Sequence, residues 1–154
     1  MGQKPVLFSL SIEGESTSRF INNKVHMALV PSGHAYLIRL HNASNSRCDV
    51  VVSIEQQDIG KWRLEPREIL TLDEYPGTGI KFRMLQGGEI IRAMFIPEKA
   101  WLSDGREEIH TSPGGAREVA YRRQNGSMES VSALARSNVD WNKVVETSVK
   151  LIVG

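Results

Sequence analysis

Cysteine is nearly absent from this chain. Cys48 stands alone among 154 residues, so no disulfide can close within it. Cys48 opens an apolar run, where a cysteine serves as a small buried apolar side chain. A reactive thiol needs a nearby base or a helix N-terminus, and neither is legible around it. Long apolar runs are missing as well. None approaches the roughly 18 residues that span a bilayer, and residues 1–11 lack the apolar stretch and small-residue cleavage site of a signal peptide. The expectation is a soluble protein made in the cytosol, with no membrane partner. Without a secretion signal, the sequons at Asn42 and Asn125 carry no glycan expectation. Charge of one sign is also lacking: 19 Lys and Arg meet 18 Asp and Glu, for a net charge of +1. A phosphate backbone is drawn by a clear basic excess, so nucleic acid is disfavoured as a partner.

The spacings that carry chemistry are missing too. His26, His34, His41 and His110 form no pair that sets two imidazoles on one metal, and there is no Cys-x-x-Cys, so no metal is expected. His26 and His41 fall on the expected outer faces of two strands and could meet in space. No Gly-x-Ser-x-Gly elbow exists; Ser103-Asp104-Gly105 and Ser32-Gly33-His34 hold suitable residue types without an arrangement. Asp73-Glu74 and Glu107-Glu108 are adjacent, so on a strand their carboxylates point to opposite faces. Gly77-Thr78-Gly79 and Gly114-Gly115 are not followed by a Lys-Ser pair opening a helix, so they read as turns rather than phosphate loops. No catalytic residue and no cofactor is expected.

What the sequence does contain is period two. Val6, Phe8, Leu10 and Ile12 share one phase, as do Val25, Met27 and Leu29, then Tyr36, Ile38 and Leu40. Val50, Val52 and Ile54 come next, then Trp62 and Leu64, then Ile80, Phe82 and Met84. Such alternation sets one face on a core and the other in water. The breaks carry turn chemistry: Pro31-Ser32-Gly33, Asn42 to Ser46, Gln56-Gln57-Asp58, Pro76-Gly77-Thr78-Gly79 and Gln86-Gly87-Gly88. About five short runs between Tyr36 and Ile96, with no helical stripe between them, predict an antiparallel β-sandwich or jelly roll rather than βαβ units.

One domain over residues 1–154 is expected, with 97–154 as a loop or arm region and a closing strand. Glu98 to Gly115 reads as a long loop. Arg117 to Arg122 reads as a strand with Val119 and Tyr121 on one face. Met128, Val131, Leu134 and Ala135 recur at spacings of three and four, which predicts one short helix over 128–136 capped by Ser127. Thr147 to Val153 closes the chain as a strand.

The block Tyr36-Leu-Ile-Arg-Leu-His-Asn, then Arg47-Cys-Asp-Val-Val-Val-Ser-Ile-Glu, then Ile59-Gly-Lys-Trp-Arg-Leu-Glu-Pro, and after it Ile80-Lys-Phe-Arg, resembles an uncharacterised β-sandwich module of viral and microbial proteins. The resemblance covers residues 36–82, about a third of the chain. Where that module carries an Asp-Gly turn, this chain has Gln56-Gln57-Asp58. The resemblance implies a sandwich and a virion context, and it brings no catalytic residue.

Residue type suggests the interface candidates. Arg117, Arg122 and Arg123 surround Tyr121, a pattern that can hold single-stranded nucleic acid or guard a strand edge. Trp62 falls in an inward phase and is a core candidate. Trp101 and Trp141 lie in weakly patterned segments, where exposed aromatics anchor protein or sugar partners. Trp101, Trp141, Tyr121, Arg122 and Arg123 are therefore the candidate interface. The leading expectation is a non-enzymatic structural or protein-interaction module, an accessory or decoration subunit of a larger assembly such as a virus particle, with protein partners or self-association. A carbohydrate-binding module is the alternative. An enzyme with a site assembled from distant loops, tested first at His110, Asp104 and Glu108, is the third.

Overall fold

A computed structural model describes residues 6–99 and 119–154. Eleven strands run in chain order: β1 (Phe8–Glu13), β2 (Ser18–Asn22), β3 (Val25–Val30), β4 (Leu37–Asn42), β5 (Cys48–Ile54), β6 (Gln57–Leu64), β7 (Ile69–Leu72), β8 (Ile90–Pro97), β9 (Val119–Gln124), β10 (Ser127–Ser132) and β11 (Val145–Val153). They form a three-stranded sheet, β1-β4-β7, and an eight-stranded sheet, β10-β9-β6-β5-β8-β11-β3-β2. The protein is mostly β and sandwich-like, as the alternation predicts.

The core lies between the sheets. Phe8, Leu10 and Ile12 of β1, Ile38 and Leu40 of β4 and Leu70 and Leu72 of β7 meet Val50 and Val52, Trp62 and Leu64, Ile91, Ala93 and Phe95, and Val149 and Leu151 of the large sheet. Aromatic rings hold several of these contacts: Phe8 stacks on Phe95 at 5.2 Å, and Trp62 meets Tyr121 at 6.2 Å. Burying a large apolar side chain in this way stabilises by about 1.5–3 kcal/mol. Gly60 makes room for Trp62, because a Cβ there would sit 2.8 Å from the indole and 3.1 Å from Pro76. Asn42 is buried between the sheets' connecting loops. Its amide donates to the Ser46 and Glu65 carbonyls, and its side-chain oxygen accepts from Ser44.

Several expectations need correction. No helix forms over 128–136. Ser127–Ser132 is a strand that pairs antiparallel with β9, and only short 3-10 turns come after it, at Arg136–Asn138 and Trp141–Lys143. The cause is Asn125-Gly126, whose φ values of 51° and 81° fold the chain back as a hairpin before any helix can start. In β3 the phase is the reverse of that expected: Ala28 and Val30 are buried, whereas Val25 is exposed. The small Ala28 fits the inner face, and the longer Met27 and Leu29 lie half-buried on the outer one. Residues 80–84 make only isolated bridges, Glu74 to Lys81 and Ala35 to Arg83. Phe82 and Met84 are buried there, but Ile80 is exposed. The region expected as a loop or arm with strands at 117–122 and 147–153 supplies three strands, β9, β10 and β11, to the large sheet.

Candidate functional site

The outward face of the large sheet carries an open cleft of about 1270 Å³. Its floor is Val51 of β5 with Met94 and Ile96 of β8, all half-buried rather than solvated. A bulge where the β5–β6 register skips Ile59 turns Asp58 and Ile59 into the same cleft. Lys61, Arg92 and Glu146 supply charge around the floor, with Arg92 and Glu146 3.7 Å apart. The wall is the segment from Ser132 to Trp141, which crosses the outer face after β10.

Two buried ion pairs fix that segment. Asp49 and Arg63 face each other across β5 and β6, with Nε to Oδ1 at 2.5 Å. Each then reaches the wall. Arg63 donates to the Ser132 carbonyl at 2.9 Å, and Asp49 accepts the Leu134 amide at 2.7 Å. At the far end Glu98 is fully buried and takes a bidentate grip from Arg47, at 3.1 and 2.6 Å. The neighbouring backbone ties Lys99 to Asn138 and Asp140 to Pro97. A buried charge is tolerated only when it is paired and its remaining donors and acceptors are used, and both pairs meet that condition.

A second surface lies at the opposite end of the sheet. β2 is the edge strand, and all five of its residues are exposed. Phe20 is 42% and Ile21 64% accessible. Their side chains point to opposite faces. Arg19, the one charged residue of β2, pairs with Glu13, which also receives Arg39 at 3.3 Å. Ser18–Asn22 holds no proline, lysine or bulge, and Arg19 is the one charge along this edge.

The structure scatters the interface candidates named from sequence. Trp141 is exposed on the cleft wall, but the Arg136 guanidinium covers one ring face at 4.8 Å and its Nε1 donates to the Arg136 carbonyl. Tyr121 packs on the core against Trp62. Arg122 is bonded to Glu129 across the hairpin at 2.6 Å. Arg123 is exposed on the other face of β9. Trp101, Arg117, His110, Asp104 and Glu108 lie outside the described residues. His26 and His41 sit in different sheets, on β3 and β4, so they do not meet. Among the described residues no cluster of three His, Cys, Asp or Glu side chains could hold a metal. Burial, with the Asp49 carboxylate adding to it, pushes the Cys48 thiol far up, so the thiol is inert.

Sequence reading missed Asp49, Arg63 and Glu98, because their partners are 14 to 85 residues away. It also missed β2, whose residues Ser18, Arg19, Phe20, Ile21 and Asn22 show no alternation. The turn at Asn23-Lys24 was the one signal that could have found it. No helix of the described residues is long and apolar enough to cross a membrane. Compared with family models, curated proteins and solved structures, the chain matches none.

Proposed function

We propose that this protein is a non-catalytic structural and protein-interaction module, an accessory subunit of a larger assembly such as a virus particle. The observation that carries this reading is the edge of the large sheet at β2, where Phe20 and Ile21 stand in solvent and no strand among the described residues pairs on the outer side. An exposed edge strand is a template for another strand, and main-chain hydrogen bonds then supply the affinity. Soluble domains often blunt such edges with prolines, lysines or bulges, and β2 carries none of these.

A carbohydrate site at Trp141 has weaker support. A sugar platform needs a free ring face and a polar rim, but Arg136 occupies one face and the indole N–H is already used. Unchanged tryptophan fluorescence across a glycan panel is the expected outcome.

Light scattering at two concentrations tests the interaction reading. The mass should exceed the monomer's 17.2 kDa and rise with concentration. Ile21→Pro should return it to the monomer, and Phe20→Lys provides a second variant if the proline disturbs the hairpin. A mass fixed at the monomer value, and unmoved by either variant, would overturn this reading of the edge.

A further inference from the structure

We infer that the partner of the β2 edge is a second copy of this chain, joined strand to strand about a two-fold axis with Phe20 facing Phe20. The inference rests on the interaction reading of this edge and names the partner at the same surface.

The backbone geometry sets the register. Asn23 and Lys24 alone connect β2 to β3, with φ of 50° and 66°. In a two-residue hairpin the residues that close the turn, here Asn22 and Val25, exchange both of their hydrogen bonds. Hydrogen-bonded and non-bonded pairs then alternate along the ladder. Phe20 opposite Met27 and Ser18 opposite Leu29 are thus bonded pairs. The N–H and C=O groups of Arg19 and Ile21 must point away from β3, toward the open edge. Phe20 sits midway between them.

That arrangement maps onto itself. A second β2 laid antiparallel sets Arg19 opposite Ile21 of the other copy, and Ile21 opposite its Arg19, each pair exchanging two backbone bonds. Phe20 then falls opposite Phe20 in a non-bonded pair, where Cα atoms approach to about 4.5 Å and aromatic side chains pair well. Charge does not oppose the approach, because the only charged side chain of β2 is already neutralised by Glu13. The two eight-stranded sheets become one continuous sheet. Isologous two-fold contacts of this kind are the commonest way in which identical chains associate.

Disulfide trapping in the full chain tests the register. Cys48 is buried and inert, so an introduced cysteine is the sole reactive thiol among the described residues. Phe20→Cys should convert from monomer to covalent dimer under mild oxidation, since a Cα separation of about 4.5 Å lies within disulfide range. Ile21→Cys should stay monomeric, because its two thiols would be two residue pairs apart and beyond the roughly 7 Å limit. Adding Ile21→Pro to Phe20→Cys should abolish the dimer. If the chain associates by light scattering but Phe20→Cys does not cross-link, or cross-links no faster than Ile21→Cys, the two-fold pairing is overturned while the interaction reading stands. A strict monomer with no cross-link overturns both. Cross-linking only to a different protein added in extract assigns the edge to another chain and overturns the second copy.

Discussion

At one end of the large sheet β9 and β10 turn on Asn125 and Gly126, and at the other β2 and β3 turn on Asn23 and Lys24. All four turn residues have positive φ, so the two hairpins close in the same way. The two ends differ in how the chain is held beyond the turn. The chain leaving β10 is held by Asp49 and Arg63 from the middle of the sheet, and Arg122 and Glu129 pair across the hairpin itself. Among the described residues β2 has one side-chain tie beyond its partner strand, the exposed Arg19 to Glu13 pair. One end is therefore held by buried charge, and the other by an exposed pair alone. Both β10 and β2 are edge strands, so the contrast lies in how firmly the chain is held at each end and not in whether its edge is open.

Removing Asp49 tests the firmly held end and should have the largest effect. Asp49→Ala leaves the Arg63 guanidinium buried without its carboxylate and the Leu134 amide without its acceptor. Breaking a buried pair on one side costs about 3–5 kcal/mol, read as a lower urea midpoint. Asp49→Leu with Arg63→Met should recover most of that loss, because a well-packed apolar pair is often neutral. The amide of Leu134 should still exchange faster in the double variant, since the wall has lost its anchor. At the loosely held end Glu13→Ala should cost only about 0.2–1 kcal/mol, as exposed pairs do. Equal losses at Asp49 and Glu13 would erase the distinction between the two ends.

Much of the sandwich was legible because its core obeys alternation. Tyr36, Ile38 and Leu40, Val50 and Val52, and Trp62 and Leu64 are all buried in the expected phase. Alternation fails where a strand has no core beneath one of its faces. β2 is exposed on both sides, so nothing in its pattern marks a strand. β10 misled for a related reason: Met128, Val131 and Leu134 match a helical stripe, but the edge strand leaves Met128 largely exposed. The Asn-Gly pair before it outweighs that stripe, because only a turn uses two successive positive-φ residues. The cleft was not legible at all. It depends on Asp49, Arg63 and Glu98 being buried, and polar residues declare their burial only through partners distant in the chain.

Exchanging turn residues should sharpen the contrast between the hairpins at a smaller scale. Gly126 has φ of 81°, so Gly126→Ala forces a side chain into the left-handed region and should cost about 1 kcal/mol. Lys24 already bears that strain at φ 66°, so Lys24→Gly relieves it and should leave stability unchanged or raise it by less than about 1 kcal/mol. Thermal or urea unfolding of the two variants checks the opposite signs. Losses of the same sign and size at both turns would mean that their closure differs after all.

The smallest expected effect is a pH dependence near the β9 end. Glu68 is partly buried, and that burial raises its carboxyl from the ordinary 4.5, helped by the Glu65 charge and opposed by the Glu65 backbone hydrogen bond and Arg123. A raised value means that the folded chain holds this proton more tightly than the unfolded chain. The resulting stability is fully present below pH 4.5 and is lost as pH rises through the raised value. Glu68→Gln cannot lose a proton, yet its side-chain oxygen still accepts the Glu65 amide. The variant should therefore gain on the wild type as pH rises from acid to neutral, by a margin kept small because half of the group is in solvent. Unfolding midpoints at pH 4 and pH 7 measure it, and a gap that narrows with rising pH would show that Arg123, rather than burial, governs this carboxyl.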